Sequence, residues 1–259
     1  MEIWVDRLCF GYPGRPVIED LDAHFASGRL SGIIGPNGSG KTTLIRLMSG
    51  AIKPVSGQVL LDKQPVGELK GRALARKIAV VPQKSHLGFD FSVLDVVLMG
   101  RQPYISRFSR EKAGDLEMAR AAMRMTGVEH LEKRSVTALS GGEWQRVIIA
   151  RALCQATPVM LMDEPISSLD IRHQLEVLAL ARRLAHEKQA CVVCVLHDLN
   201  LAANYCDELL LMSGGKKVAQ GTPEQVLTGD TLREVYGIEA EILKDKFGLA
   251  VRPDYQRQG

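Results

Sequence analysis

The chain of 259 residues carries 46% hydrophobic and 24% charged side chains, a globular balance that excludes a disordered or fibrous protein and leaves room for one large domain or two small ones. Lys and Arg number 33 against 30 Asp and Glu, and the net charge of +3 is too mild for a nucleic-acid footprint. Cys9, Cys154, Cys191, Cys194 and Cys206 are odd in number and scattered, which excludes a disulfide framework and fits a reducing compartment.

Glu2, Asp6 and Arg7 interrupt the N-terminus, so no secretory leader is expected, and no apolar run approaches the ~18 residues that cross a bilayer. Residues 3–25 mix short apolar segments with Gly11, Pro13 and Gly14 and predict the strands of a small sheet. An apolar strand at 30–34 leads into Gly35-Pro36-Asn37-Gly38-Ser39-Gly40-Lys41-Thr42 and a helical pattern over 42–49. That run matches G-x-x-x-x-G-K-[ST], in which glycines let backbone N–H groups close on phosphate oxygens and the helix start adds partial positive charge. Lys41 is expected to reach the β- and γ-phosphates and Thr42 to hold Mg²⁺, with Thr43 counted among the nucleotide-binding residues. A chance glycine turn is the alternative, and the strand–loop–helix context argues against it.

A second buried strand is expected at 78–81, ending near Gln83. From there to Pro158 the composition turns helical, with helices expected over 94–99, 110–126 and 143–154 and a loop over 100–107. Another apolar run at 159–162 delivers Asp163 and Glu164. Such a run is by itself commonly a strand meeting a polar loop, but behind a phosphate loop it predicts Asp163 in the Mg²⁺ shell and Glu164 beside an attacking water. A last buried strand at 191–196 ends at His197. Lys41, Gln83, Asp163 with Glu164, and His197 thus fall at strand ends, where an open α/β sheet places its ligand. Cys191 and Cys194 are three apart on one strand and so on opposite faces; no second Cys or His pair stands at zinc-site spacing, and both are read as buried core. The tail after Ile242 is polar and reads as loosely held.

Leu139-Ser140-Gly141-Gly142-Glu143, followed by Trp144-Gln145-Arg146-Val147, reads on its own as a capped helix start. Alongside the phosphate loop it resembles the ATP-binding cassette (ABC) ATPases, whose motif is Leu-Ser-Gly-Gly-Gln, and the resemblance runs from about residue 3 to 241 with the family's motifs in order. It implies an α/β fold: a RecA-like P-loop NTPase core with an N-terminal antiparallel β subdomain and a helical subdomain inserted at about 85–157, within a domain over 1–241 and before a C-terminal tail over 242–259. It implies ATP and Mg²⁺, with Ser140, Gly141 and Gly142 serving the γ-phosphate bound to a second copy in a head-to-tail homodimer. Glu143 stands where the family has Gln, a change expected to be tolerated because its neighbours make the phosphate contacts.

By the same resemblance Gln83 senses Mg²⁺ and water, the alternative being an ordinary polar strand end. Asp170, in Ser167-Ser168-Leu169-Asp170, belongs to the loop that crosses the dimer interface, and Ile166 replaces a usual Thr there, putting one polar contact in doubt. His197 resembles the switch histidine on the γ-phosphate rather than a structural histidine. Tyr12, in Phe10-Gly11-Tyr12, resembles the aromatic that stacks on adenine, against the alternative of a strand aromatic packed into the core. Met99-Gly100-Arg101-Gln102-Pro103-Tyr104 and His173-Gln174-Leu175-Glu176-Val177 resemble the branch serving importers of ferric siderophores, haem and cobalamin. The implied partners are integral membrane permease subunits and, through them, a periplasmic or surface substrate-binding protein, with the chain peripheral at the cytoplasmic face of the membrane. An exporter cassette is the first alternative. A soluble relative acting on nucleic acid or the ribosome lacks support, since no second cassette, coiled coil or zinc module is present. A nucleotide-binding regulator without turnover is opposed by Glu164 and His197.

Overall fold

The structure, a computed structural model, describes residues 1–83, 90–106, 111–246 and 248–254. The chain divides into two compact units, Met1–Glu68 with Arg182–Gly259, and Leu69–Ala181.

The first unit opens on an antiparallel sheet in which Ile3–Tyr12 lies between Arg15–Phe25 and Ser56–Leu61, with the short Gln64–Pro65 beside the latter. Ile3, Val5 and Leu8 are buried, whereas Trp4 is exposed and stacks on His24 across the pair. This is the alternation expected of a sheet with one dry face. In the same unit Arg29–Ile34 pairs in parallel with Cys191–Val195 on one side and Glu208–Ser213 on the other, and Lys216–Gly221 returns antiparallel to the last. Leu30, Ile33, Ile34 and all of Cys191–Val195 are buried, which is why Cys191–Val195 reads as an unbroken apolar run. Burial pushes the Cys191 thiol up to about 12. It is therefore protonated near neutral pH, as core packing requires and redox chemistry does not.

The C-terminal region departs from expectation. Helices Pro223–Val226 and Gly229–Tyr236 are followed by an antiparallel hairpin of Ala240–Asp245 and Gly248–Pro253. The tail expected to begin loosely at 242 is thus paired through Pro253, and the boundary expected at 241/242 falls inside the first hairpin strand. Among the described residues of the hairpin only Leu249 and Val251 are buried hydrophobics, too few to show as a pattern in so polar a stretch. Residues 255–259 lie outside the described residues.

The second unit pairs Ile78–Val81 in parallel with Val159–Asp163 and adds helices Val93–Leu98, Ala113–Met125 and Gly141–Cys154. It runs from 69 to 181, wider than the helical stretch expected at about 85–157, because it holds these two strands as well. Residues 85–89 of that stretch, Arg107 of the expected loop and Arg110 of the expected helix lie outside the described residues. Helix Gly141–Cys154 starts two residues before its expected position, because Ser140 caps it. Among the described residues no helix is long and apolar enough to cross a membrane.

Arg101, nearly buried, organises the helical part. Its Nε donates to Asp115 at 2.9 Å, its Nη1 donates to the Cys154 carbonyl at 3.0 Å, and its guanidinium lies 4.1 Å from the Tyr104 ring centroid. The backbone N–H of Lys112, and next Arg101, hold the Asp115 carboxyl below the usual carboxylate range. A lowered carboxylate pKa adds stability above its unfolded value, near 4, and loses it as pH falls through the folded value. Arg101→Ala is expected to destabilise the chain by about 3 kcal/mol, because it leaves a nearly buried carboxylate without its counter-charge. Urea unfolding at neutral pH measures that loss, and it should shrink when the titration is repeated below pH 4.

Candidate active site

Strand Arg29–Ile34 ends at Gly35, whose φ is +146°. A Cβ at Gly35 would stand 2.1 Å from the Met212 carbonyl oxygen and 2.9 Å from Ser39 Oγ, so only glycine lets the chain turn there. Gly38 and Gly40 also have positive φ, +81° and +99°. Gly40 is the N-cap of helix Lys41–Met48 and brings no side-chain cap, and the helix has no acidic residue in its first turn. The loop therefore leaves the positive end of that helix to whatever anion arrives. Asn37 and Gly38 are exposed at the loop's tip, while Pro36, Thr42 and Thr43 are half-buried.

Lys41, only 5% exposed, folds back along the loop and donates from Nζ to the carbonyls of Gly35 and Pro36, both at 2.8 Å. Ser39 Oγ is buried with no hydrogen-bond partner among the described residues, an orphan that a phosphate oxygen would satisfy. The glycine cradle, the uncapped helix start and this orphan together fit a polyphosphate.

Tyr12 closes strand Ile3–Tyr12 and is 50% exposed, its ring set edge-on to Phe10 at 5.3 Å; its placement is not that of a core aromatic. His197 is exposed just past strand Cys191–Val195. The next residue, Asp198, caps helix Leu199–Tyr205 by accepting from the N–H groups of Asn200 and Leu201 at 2.8 and 2.9 Å. Tyr236 was not anticipated from the sequence. Burial pushes its phenol up to about 12, against the pull of a hydrogen bond with the Gly35 backbone, which puts the last residue of helix Gly229–Tyr236 against the first residue of the phosphate loop. No signal in a lone Tyr some 200 residues away could have found it.

In the second unit Asp163 is the last residue of its strand and 4% exposed. Glu164 leaves the strand with φ +51°, a left-handed conformation that costs a non-glycine residue of order 1–3 kcal/mol and is concentrated at functional sites. The parallel pair aligns Val81 with Met162, and two residues farther on Gln83 Nε2 donates to Glu164 Oε2 at 2.7 Å. The structure thus brings together two predicted residues that lie 81 positions apart. Ser167 closes the turn, its Oγ donating to the Glu164 carbonyl at 3.1 Å.

Ser140 begins helix Gly141–Cys154 in a reciprocal cap with Glu143. The Ser140 N–H and Oγ donate to Glu143 Oε2 at 2.7 and 2.8 Å, and the Glu143 N–H donates back to Ser140 Oγ at 3.3 Å. The Ser140 backbone N–H, then its hydroxyl, keeps the Glu143 carboxyl below the usual range. Gly141 opens on free space, and Gly142 faces the 168–169 turn, where a Cβ would meet Leu169 Cδ2 at 3.5 Å. Asp170 accepts from the His173 N–H at 3.0 Å and pairs with its Nδ1 at 2.8 Å, and both contacts lower its carboxyl's pKa. Ile166, placed where a polar contact was in doubt, is buried and offers its carbonyl to Gln174 Nε2 at 3.2 Å. Of the expected Mg²⁺ residues, Thr42 belongs to the first unit and Gln83 and Asp163 to the second. Among the described residues no three His, Cys, Asp or Glu gather as a metal cluster.

The sequence profile of the ABC transporter family matches residues 18–167. The chain is 44% identical over 232 residues to the cobalamin import ATP-binding protein BtuD of Halobacterium salinarum, covering 90% of this chain and 58% of that protein. It thus spans little more than half of that relative's length. It is 43% identical over 251 residues to the hemin import ATP-binding protein HmuV of Bordetella pertussis, covering 94% of this chain and 95% of the relative. Among solved structures, one titled as an inward-facing conformation of a putative metal-chelate type ABC transporter matches with a TM-score of 0.84 and 30% identity, covering 98% of each chain.

Proposed function

The chain belongs to the ABC transporter family, and on that footing we propose that it is the ATP-hydrolysing subunit of an importer that carries a metal chelate (haem, cobalamin or a ferric siderophore) across the cytoplasmic membrane. The observation that supports turnover, beyond nucleotide binding, is the hydrogen bond from Gln83 to Glu164, which holds a carboxylate just past the end of its own strand, the kind of place where an open α/β sheet binds its ligand. The cargo class rests on what the relatives import.

ATP lies with its phosphates in the Gly35–Thr43 loop and its adenine on Tyr12. Lys41 transfers its ammonium from the Gly35 and Pro36 carbonyls to the β- and γ-phosphates. Water attacks the γ-phosphorus, Glu164 takes the water's proton, and ADP leaves with the bridging oxygen. Gln83 orients Glu164, and His197 steadies the γ-phosphate. Mg²⁺ would be held by Thr42, Gln83 and Asp163, and it would supply neutralisation of the phosphate charge. Ser140, Gly141 and Gly142 of a second copy close over the γ-phosphate, with Asp170 at the seam, so the working unit is a homodimer. It docks on integral permease subunits at the cytoplasmic face, which receive cargo from a substrate-binding protein; nucleic acid has no part.

Uptake in a strain lacking the gene tests this reading. Labelled haem, cobalamin and ferric siderophores are supplied in turn, with rescue by the wild-type chain or by Glu164→Gln. Loss of one uptake, restored only by wild type, is expected; intact uptake of all three, with export impaired instead, overturns the direction and the cargo.

A further inference from the structure

The helix that starts just behind His197 is held from its far side by the C-terminal hairpin, through side chains that imitate a strand. Asn200 accepts the Val251 N–H on Oδ1 at 2.7 Å and donates from Nδ2 to the Val251 carbonyl at 3.4 Å. One turn on, Asn204 accepts the Leu249 N–H at 3.1 Å and donates to the Leu249 carbonyl at 2.8 Å and to the Asn200 carbonyl at 2.7 Å. A carboxamide carries the same donor and acceptor types as a peptide unit. Two of them at i and i+4 on one helix face therefore meet residues 249 and 251, which lie i and i+2 on one strand.

The approach is close. Gly248 has φ +118°, and a Cβ there would stand 1.8 Å from Asn204 Oδ1. The hairpin has anchors of its own: Lys244 pairs with Glu224 at 3.2 Å, the Asp254 N–H donates to the Glu239 carbonyl at 2.8 Å, and Leu249 and Val251 are buried. Helix Leu199–Tyr205 has only seven residues, too few to hold its place without tertiary contacts.

We propose that Asn200 and Asn204 are positioning residues for ATP hydrolysis: by fixing helix Leu199–Tyr205 to the C-terminal hairpin they set where His197 meets the γ-phosphate. This rests on the reading of His197 as the γ-phosphate residue. Freed from the hairpin, the helix shifts, and a displacement of about 1 Å at a positioning group costs up to ~100-fold in rate. The phosphate loop is untouched, so nucleotide binding is unchanged.

The test compares steady-state ATP hydrolysis by the full-length chain in three forms: Asn200→Ala with Asn204→Ala, Gly248→Ala on the hairpin side, and His197→Ala. The clamp variants are expected to lose kcat roughly tenfold or more with KM for ATP unchanged, and His197→Ala to lose turnover. If the double variant does not fold, Asn200→Ala alone, at an exposed position, carries the measurement. Unchanged kcat in folded clamp variants alongside an inactive His197→Ala overturns the inference and leaves the role of His197 standing. A fully active His197→Ala overturns that role and the inference with it. A KM that rises in step with the fall in kcat also overturns it, because general loosening of the fold does that.

Discussion

Glu164→Gln is expected to slow ATP hydrolysis by roughly 10²–10⁴-fold, the range for losing a positioned general base, while ATP affinity stays within about twofold. The amide has the shape of the carboxylate, and its oxygen still accepts from Gln83 Nε2, the 2.7 Å contact seen in the structure. The unusual backbone at φ +51° is common to both side chains, so the turn closed by Ser167 is kept. What disappears is the carboxylate proposed to take the water's proton. Phosphate release measures turnover and a fluorescent-nucleotide titration measures affinity; undiminished phosphate release would remove Glu164 from the chemistry. A joint loss of binding and turnover would assign it to the nucleotide's seat instead.

Gly35→Ala is expected to act on the other half of the reaction, lowering ATP affinity at least 100-fold and reducing the melting temperature by several degrees. An added methyl would stand 2.1 Å from the Met212 carbonyl oxygen. Met212 lies in strand Glu208–Ser213, whose parallel pairing with Arg29–Ile34 aligns Leu211 with Ile34, so neither backbone can yield without breaking register. The loop moves instead, and the carbonyls that hold Lys41 move with it. Gly38→Ala is the matched control. Its φ of +81° is also positive, but nothing lies within 4 Å of the added carbon, so its stability loss is confined to backbone strain of about 1–2 kcal/mol. Isothermal titration with thermal melting separates the two. Equal melting temperatures for the two variants would show that the Met212 contact is relieved at no cost.

What the sequence discloses and what it hides follow from how far apart the partners lie. The phosphate loop is legible because strand, glycines, lysine and helix are contiguous, and each must be what it is for the turn to form. The buried strands are legible because cover on both faces leaves no room for alternation, as along Cys191–Val195. Pairings between distant segments are not legible. The Gln83–Glu164 bond depends on the register of two parallel strands, and the Tyr236 contact with Gly35 on the placement of a whole helix. The hairpin at 240–253 was concealed for a different reason. Part of its binding is done by asparagine side chains on another element, and a strand held that way needs little apolar surface. The cap at Ser140 shows the reverse: Ser-Gly-Gly-Glu announces a helix start, but not that Glu143 accepts both the hydroxyl and the N–H of Ser140.

The folded-back Lys41 has a thermodynamic consequence. Ordering a lysine side chain costs up to about 2 kcal/mol of rotamer entropy, and here the ammonium is already bonded to two carbonyl oxygens of its own loop. That ordering belongs to folding, not to the arrival of nucleotide. In the proposed reaction, binding would therefore exchange neutral acceptors for anionic ones around a side chain that is already in place, the condition under which contact energy converts most fully into affinity. On that proposal the same two carbonyls would take the charge back after phosphate departs, leaving the vacated loop again a preorganised receptor.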